Sequence, residues 1–184
     1  MRSRTASRRL PAGELIGGHA GLALIALGLG AVAVTAMVAV PPSVLPRSLA
    51  LGAGLVVLVA VDLAVRRLPD PVTLPLLFLG LLTGNIAAGL PGALMAFALC
   101  ALAGRIWRTL EGEPGIGMGD AKLAAAGGAW LGWSGVPAML LVASAGGLLW
   151  YLLARVTGAR LPIPFGIPLA AAIWLLWIYG VPLG

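Results

Sequence analysis

Charge is scarce in this sequence: 10% of the 184 residues are Asp, Glu, Lys or Arg, against 60% hydrophobic, and the mean hydropathy is +1.05. A water-soluble domain has about a quarter of its residues charged and about half apolar, so this composition excludes one. Cysteine is almost missing, and Cys100 alone excludes an intramolecular disulfide or a zinc site built on several cysteines. Histidine is limited to His19 beside Gly17-Gly18, without a second imidazole, so neither a metal site nor another cofactor is expected. No basic run exceeds Arg8-Arg9, and no stacking aromatics accompany it, so the excess of 12 Lys+Arg over 6 Asp+Glu does not point to nucleic acid.

What is present is apolar length. One helical crossing takes about 20 residues, so the chain has room for about six or seven and little for a separate soluble domain. The expected fold is an all-α polytopic membrane protein, with a basic segment over residues 1–20 and a transmembrane domain over 21–184. Seven spans are expected, over 21–40, 49–65, 72–88, 92–103, 117–133, 136–153 and 166–179, the fourth borrowing from its flanks. Breaks are expected at Pro41-Pro42, Arg66-Arg67, Leu90-Pro91, Arg105 to Gly115, Ser134-Gly135 and Arg155 to Pro164, where turn residues and charges gather. The first span is longer than a signal-peptide core of about 7–15 residues and reads as retained. With the N-terminus inside, eleven of the 12 Lys and Arg residues fall on the inner side and Arg47 outside. This positive-inside bias gives an N-in, C-out orientation.

The six acids are Glu14, Asp62, Asp70, Glu111, Glu113 and Asp120. Asp62 interrupts the apolar run LVVLVAVDLAV one turn before Arg66, and Asp120 opens the fifth span after GEPGIGMG. Seventeen residues of helix reach only about 25 Å, less than the roughly 30 Å of hydrocarbon, so Asp120 is drawn inward. Two recessed carboxylates at one depth can share a site. Repulsion keeps one protonated while the other acts as a base, which is aspartic-protease chemistry. The structural alternatives are an N-cap for Asp120 and an Arg66 partner for Asp62. Asp70 before Pro71 reads as an N-cap. Lys122 is expected on another helix face, snorkelling to the interface. Gly115, Gly117 and Gly119 leave the approach to Asp120 clear for a substrate backbone. Glu111 and Glu113 read as solvated loop charge, with docking of a basic segment as the sharper reading.

The stretch Asp62-Leu-Ala-Val-Arg-Arg-Leu-Pro-Asp70-Pro-Val-Thr-Leu-Pro-Leu resembles the first aspartate motif of type IV prepilin peptidases, and Gly117-Met-Gly-Asp120-Ala-Lys122-Leu resembles their GxGD motif. Pro164-Phe-Gly166 is similar to the last loop of that family. The resemblance runs from Val61 to the C-terminus. It implies a membrane-embedded aspartic endopeptidase of the bacterial inner membrane that removes basic leaders from prepilin-like precursors at the cytoplasmic face. Asp62 and Asp120 are the catalytic pair, with Gly117, Gly119, Lys122, Glu111 and Glu113 as weaker substrate-binding or site-shaping candidates. Larger members carry an insert with paired CxxC motifs and N-methylate the new terminus; with one cysteine and no such insert, this chain reads as a short form without methylation. The residues by themselves leave open a small transporter or channel in which Asp62 and Asp120 relay protons or bind a cation. Against it, the sequence shows no internal repeat. An idle scaffold for pilus assembly is disfavoured by the presence of both acids.

Overall fold

The computed structural model describes residues 19–65, 68–111, 116–156 and 165–180. Among these, all regular structure is helical: α1 (His19–Ala39), α2 (Leu45–Val65), α3 (Asp70–Thr83), α4 (Ile86–Glu111), α5 (Met118–Val156) and α6 (Gly166–Tyr179). Four of them, α1, α2, α4 and α5, contain windows long and apolar enough to cross a bilayer, whereas α3 and α6 are apolar but have 14 residues each. The arrangement is that of a polytopic membrane protein.

The helix count conceals a hairpin. Gly132 in α5 has φ 71° and ψ 172°, a conformation open to glycine and rare for any residue with a Cβ. A Cβ on Gly127 would come within 2.5 Å of Met139 Sδ. Twelve residues of straight helix would hold these two about 18 Å apart. The chain therefore doubles back at Gly132, two residues before the expected break at Ser134-Gly135. Residues 118–131 and 133–156 form separate rods.

Other boundaries also differ from the sequence reading. The third span was expected to run to residue 88, but α3 stops at Thr83, and α4 restarts at Ile86 behind Asn85, whose side-chain oxygen accepts the Ala87 N–H at 3.0 Å. This is the N-cap device of a short polar residue. The expected break at Leu90-Pro91 is not a break, and the one expected over Arg105 to Gly115 begins only after Glu111. Pro91 lies near the start of α4, where few backbone bonds are lost, and Arg105 and Arg108 extend its far end as exposed helix. The α3 cap is Pro69, so Asp70 is the first helical residue rather than the cap.

The core centres on residues 121–132, which are buried apart from Lys122. The rod is nearly all Ala, Gly and Leu, because neighbours approach from every side and only small side chains leave room. A Cβ on Gly92 would sit 2.5 Å from the Gly128 carbonyl oxygen, so α4 and α5 touch backbone to backbone there. Trp130 closes the rod. Its indole donates to the Leu76 carbonyl at 2.8 Å and its ring meets Trp177 edge-on at 5.3 Å between centroids.

Candidate active site

Three chain segments converge at the end of the bundle opposite Trp130. Asp62 sits in the last turn of α2 and is 6% exposed. Asp120 opens α5 and Gly166 opens α6. A Cβ placed on Gly166 would lie 2.6 Å from Asp62 Oδ2 and 3.4 Å from Asp120 Oδ1. The two carboxylate oxygens are thus no further apart than the sum of those distances. Any residue but glycine would press into the Asp62 carboxylate. No Cα atoms of α2 and α5 approach within 8 Å of each other among the described residues, whereas α6 comes that close to both. The carboxylates expected at one depth are indeed brought together, through a third helix rather than by adjacency.

Asp120 is the third residue of α5, not its cap. Gly117 is the residue whose carbonyl receives the first helical bond, from Ala121 N–H at 3.2 Å. The Asp120 Oδ2 accepts the Gly117 N–H at 3.3 Å, the return half of a capping box. This bond aims the carboxylate back across the helix start and fixes its rotamer, leaving Oδ1 toward Gly166 and Asp62. Capping and site formation are therefore carried by different oxygens of one side chain.

Asp62, Asp120, Gly117, Gly119, Lys122, Asp70, Leu68 and Met118 enclose an open cleft of about 340 Å³. Gly117 is exposed along it. Gly119 serves a different purpose from a clear substrate path, because its missing Cβ would stand 3.1 Å from Leu68 Cβ. It lets Leu68, just before α3, lie against α5. Lys122 does not simply snorkel: its Nζ donates to both oxygens of Asp70 at 2.7 Å, tying the start of α3 to α5 at the cleft rim. Asp70 is the site residue whose role the sequence reading missed, since a partner 52 positions away leaves no local signal. Gly166 was legible only as part of a resemblance. Glu113, Gly115 and Arg66 lie outside the described residues, as does the side chain of Glu111.

Residues 49–152 match the type IV leader peptidase family. The prepilin leader peptidase/N-methyltransferase of Burkholderia pseudomallei is 37% identical over 169 residues, covering 86% of this chain and 55% of that protein. Those of Aeromonas salmonicida and Pseudomonas aeruginosa are 38% and 37% identical over 135 and 136 residues, covering 68% and 69% of this chain. This chain belongs to the type IV leader peptidase family. It spans about half the length of these relatives. No solved structure matches. The part matched to the leader peptidase family holds Asp62, Asp70, Asp120 and Lys122, while Gly166, against which the two carboxylates close, lies after it.

Proposed function

We propose that this chain is an aspartic endopeptidase of the bacterial inner membrane that removes basic leaders from type IV prepilin-like precursors at the cytoplasmic face. The observation that carries the reading is the convergence of Asp62 and Asp120 on the Gly166 backbone at an open cleft. In this reading the chain crosses seven times, N-in and C-out, and the cleft faces the side where the basic loops of the sequence gather.

In this reading the scissile peptide enters the cleft extended, since a helical peptide keeps its carbonyl in the helix ladder. The ionised aspartate removes a proton from water, whose oxygen attacks the carbonyl carbon. The protonated aspartate gives its proton to the carbonyl oxygen, forming a neutral gem-diol. Collapse breaks the C–N bond as the amine nitrogen takes a proton from the first aspartate and the second recovers one from the diol. The exchange leaves the pair as it began, with one shared proton, so the two titrate as a unit rather than as a fixed acid and a fixed base. Asp120, anchored through Oδ2 by Gly117, keeps Oδ1 for this work. The proposal covers the peptidase activity and not the methyl transfer in the relatives' names, for which the single cysteine offers no paired CxxC motif.

The test is co-expression with a prepilin, reading the leader by mass spectrometry. Wild type removes it. Asp62→Asn and Asp120→Asn each abolish removal while the purified proteins keep their helical content, and the double variant loses no more than either single one. Substantial cleavage by a single variant would defeat the assignment.

A further inference from the structure

A second cavity lies at the same level as the candidate cleft, lined by Leu63 and Ile167, the residues that follow Asp62 and Gly166 in the chain. Helices α1, α2 and α6 enclose an apolar groove of about 320 Å³. Val56, Val59, Ala60 and Leu63 present one helical stripe of α2 to it, and Ile167 and Ala171 present one of α6. Among the described residues, no charged side chain lines it. Its floor on α2 runs from Gly52 to Leu63, about 16 Å or three turns, which reaches about halfway through the hydrocarbon. Toward this end α1 touches α2 at Gly28, where a Cβ would lie 3.0 Å from Val56 Cγ1, but is otherwise held loosely. Val32 and Ala36, in the distal half of α1, are buried, and Thr35 there accepts the Trp174 indole N–H at 3.2 Å, whereas no residue from Leu22 to Ala31 is buried.

We propose that this groove seats the apolar helix of the precursor, so that the substrate is held by its membrane segment as well as by its leader. This rests on the peptidase reading above. Position identifies the occupant: Leu63 follows Asp62 and Ile167 follows Gly166, so the groove starts one residue from each of the two points where the carboxylates close on each other. A substrate cut at the border of a basic leader and an apolar helix has its scissile bond at the carboxylates. Its helix must then leave that point along an uncharged surface running into the bilayer, and the groove is that surface. Ala60, Ala171 and Gly28 keep its walls low, as close helix contact in lipid requires. The cavities at the other end of the bundle are lined by Arg47 and Trp177 and have no such continuity.

The experiment is disulfide cross-linking in membrane vesicles, with Asp120→Asn holding the precursor uncleaved and Cys100→Ala removing the native thiol. The precursor is a prepilin of Pseudomonas aeruginosa carrying one cysteine, either in the first turn after the cleavage point or two turns deeper. Leu63→Cys captures the shallow position and Val56→Cys the deep one, while Leu94→Cys and Leu102→Cys on the exposed face of α4 capture neither. In the active enzyme, filling the groove with Ala60→Trp or Ala171→Trp raises KM for the precursor about tenfold with little change in kcat, because the contact forms equally in ground and transition states. Capture by the α4 positions means that the helix docks elsewhere, and an unchanged KM in both tryptophan variants means that the groove is left to lipid chains; either result overturns the proposal. Cleavage by the wild type without groove cross-links defeats the groove alone. A wild type that leaves this precursor intact defeats the peptidase reading, and the occupant with it.

Discussion

At one end of the bundle Arg47, Trp130 and Trp177 are tied into neighbouring helices, while at the other Asp62, Asp70 and Asp120 line an open cleft bordered by glycine. Arg47 donates to the Thr83 carbonyl at 3.1 Å and lies 5.4 Å from the centre of the Trp177 ring, and Trp177 donates to Ser48 at 2.9 Å. Each of these contacts joins two different helices and spends its donor on a structural partner. At the carboxylate end the helices meet through missing side chains: Gly166 against both aspartates and Gly119 against Leu68. The aromatic end thus holds the rods together, and the carboxylate end takes its precision from close backbone approach, with the Asp70–Lys122 pair as a cross-tie at its rim. Substitutions at the two ends should therefore separate activity from stability.

The largest separation is expected at Gly166. In Gly166→Ala the new methyl arrives 2.6 Å from Asp62 Oδ2, so the carboxylate must move by about an ångström, and displacement on that scale costs roughly a hundredfold in rate. Alanine is well tolerated at the first position of a helix, so the midpoint of thermal unfolding in detergent should hardly move. A Gly166→Ala enzyme with wild-type kcat/KM would show that the two aspartates do not depend on this close approach.

The converse is expected at Trp130. Trp130→Ala empties the space between α3, α5 and α6 and removes the donor to Leu76, at a cost of about 3–5 kcal/mol in stability. About ten residues of helix separate it from Asp120, so the fraction that stays folded should cleave a precursor at close to the wild-type rate. Unfolding followed alongside activity per folded molecule checks both parts. A Trp130→Ala protein that is fully stable but inactive would break the division between the two ends.

How far these residues could be read from the sequence follows from what each depends on. Asp62 and Asp120 stood out because a carboxylate in an apolar run is costly and visible in a few letters, and a shared site was expected from equal depth on neighbouring helices. Asn85 and Gly132 set the true helix ends with residue types that announce turns, yet nearby candidates such as Leu90-Pro91 and Ser134-Gly135 looked equally suitable. With the ends that form, Gly92 of α4 meets Gly128 of α5 backbone to backbone, a contact between helices that no local signal shows. The Asp70–Lys122 pair and the position of Gly166 are distances between helices far apart in sequence, and no periodicity encodes them. Asp70 looked like a cap because Asp-Pro is a local signal; its actual partner is set by how α3 lies on α5.

A smaller effect is expected at that pair, which sharpens the division at the carboxylate end. Lys122 and Asp70 are both partly exposed, so their ion pair contributes under about 1 kcal/mol to stability. Its value lies in fixing the cleft rim, since it fastens the start of α3 two residues beyond Asp120. Lys122→Met and Asp70→Asn should each lower kcat/KM by several-fold, and the double variant should lose no more than the worse single one, the pattern of residues acting as a unit. Additive losses in the cycle would assign the two side chains separate tasks.

The smallest effect is expected from Glu111 and Glu113, which add two negative charges between Arg108 and Asp120 with no base among them. A basic leader approaching the carboxylate end would meet these charges in water, where each contact is weak and forms before the chemical step. Glu111→Gln with Glu113→Gln should therefore raise KM by about two- to threefold while leaving kcat alone. The difference should fade as salt rises, because exposed charges are screened beyond about 10 Å at 0.1 M. KM measured for one precursor across a salt series decides the matter. A double variant matching wild type at low salt would reduce these acids to solvated loop charge, and the grip on the leader would then have to come from the cleft acids themselves.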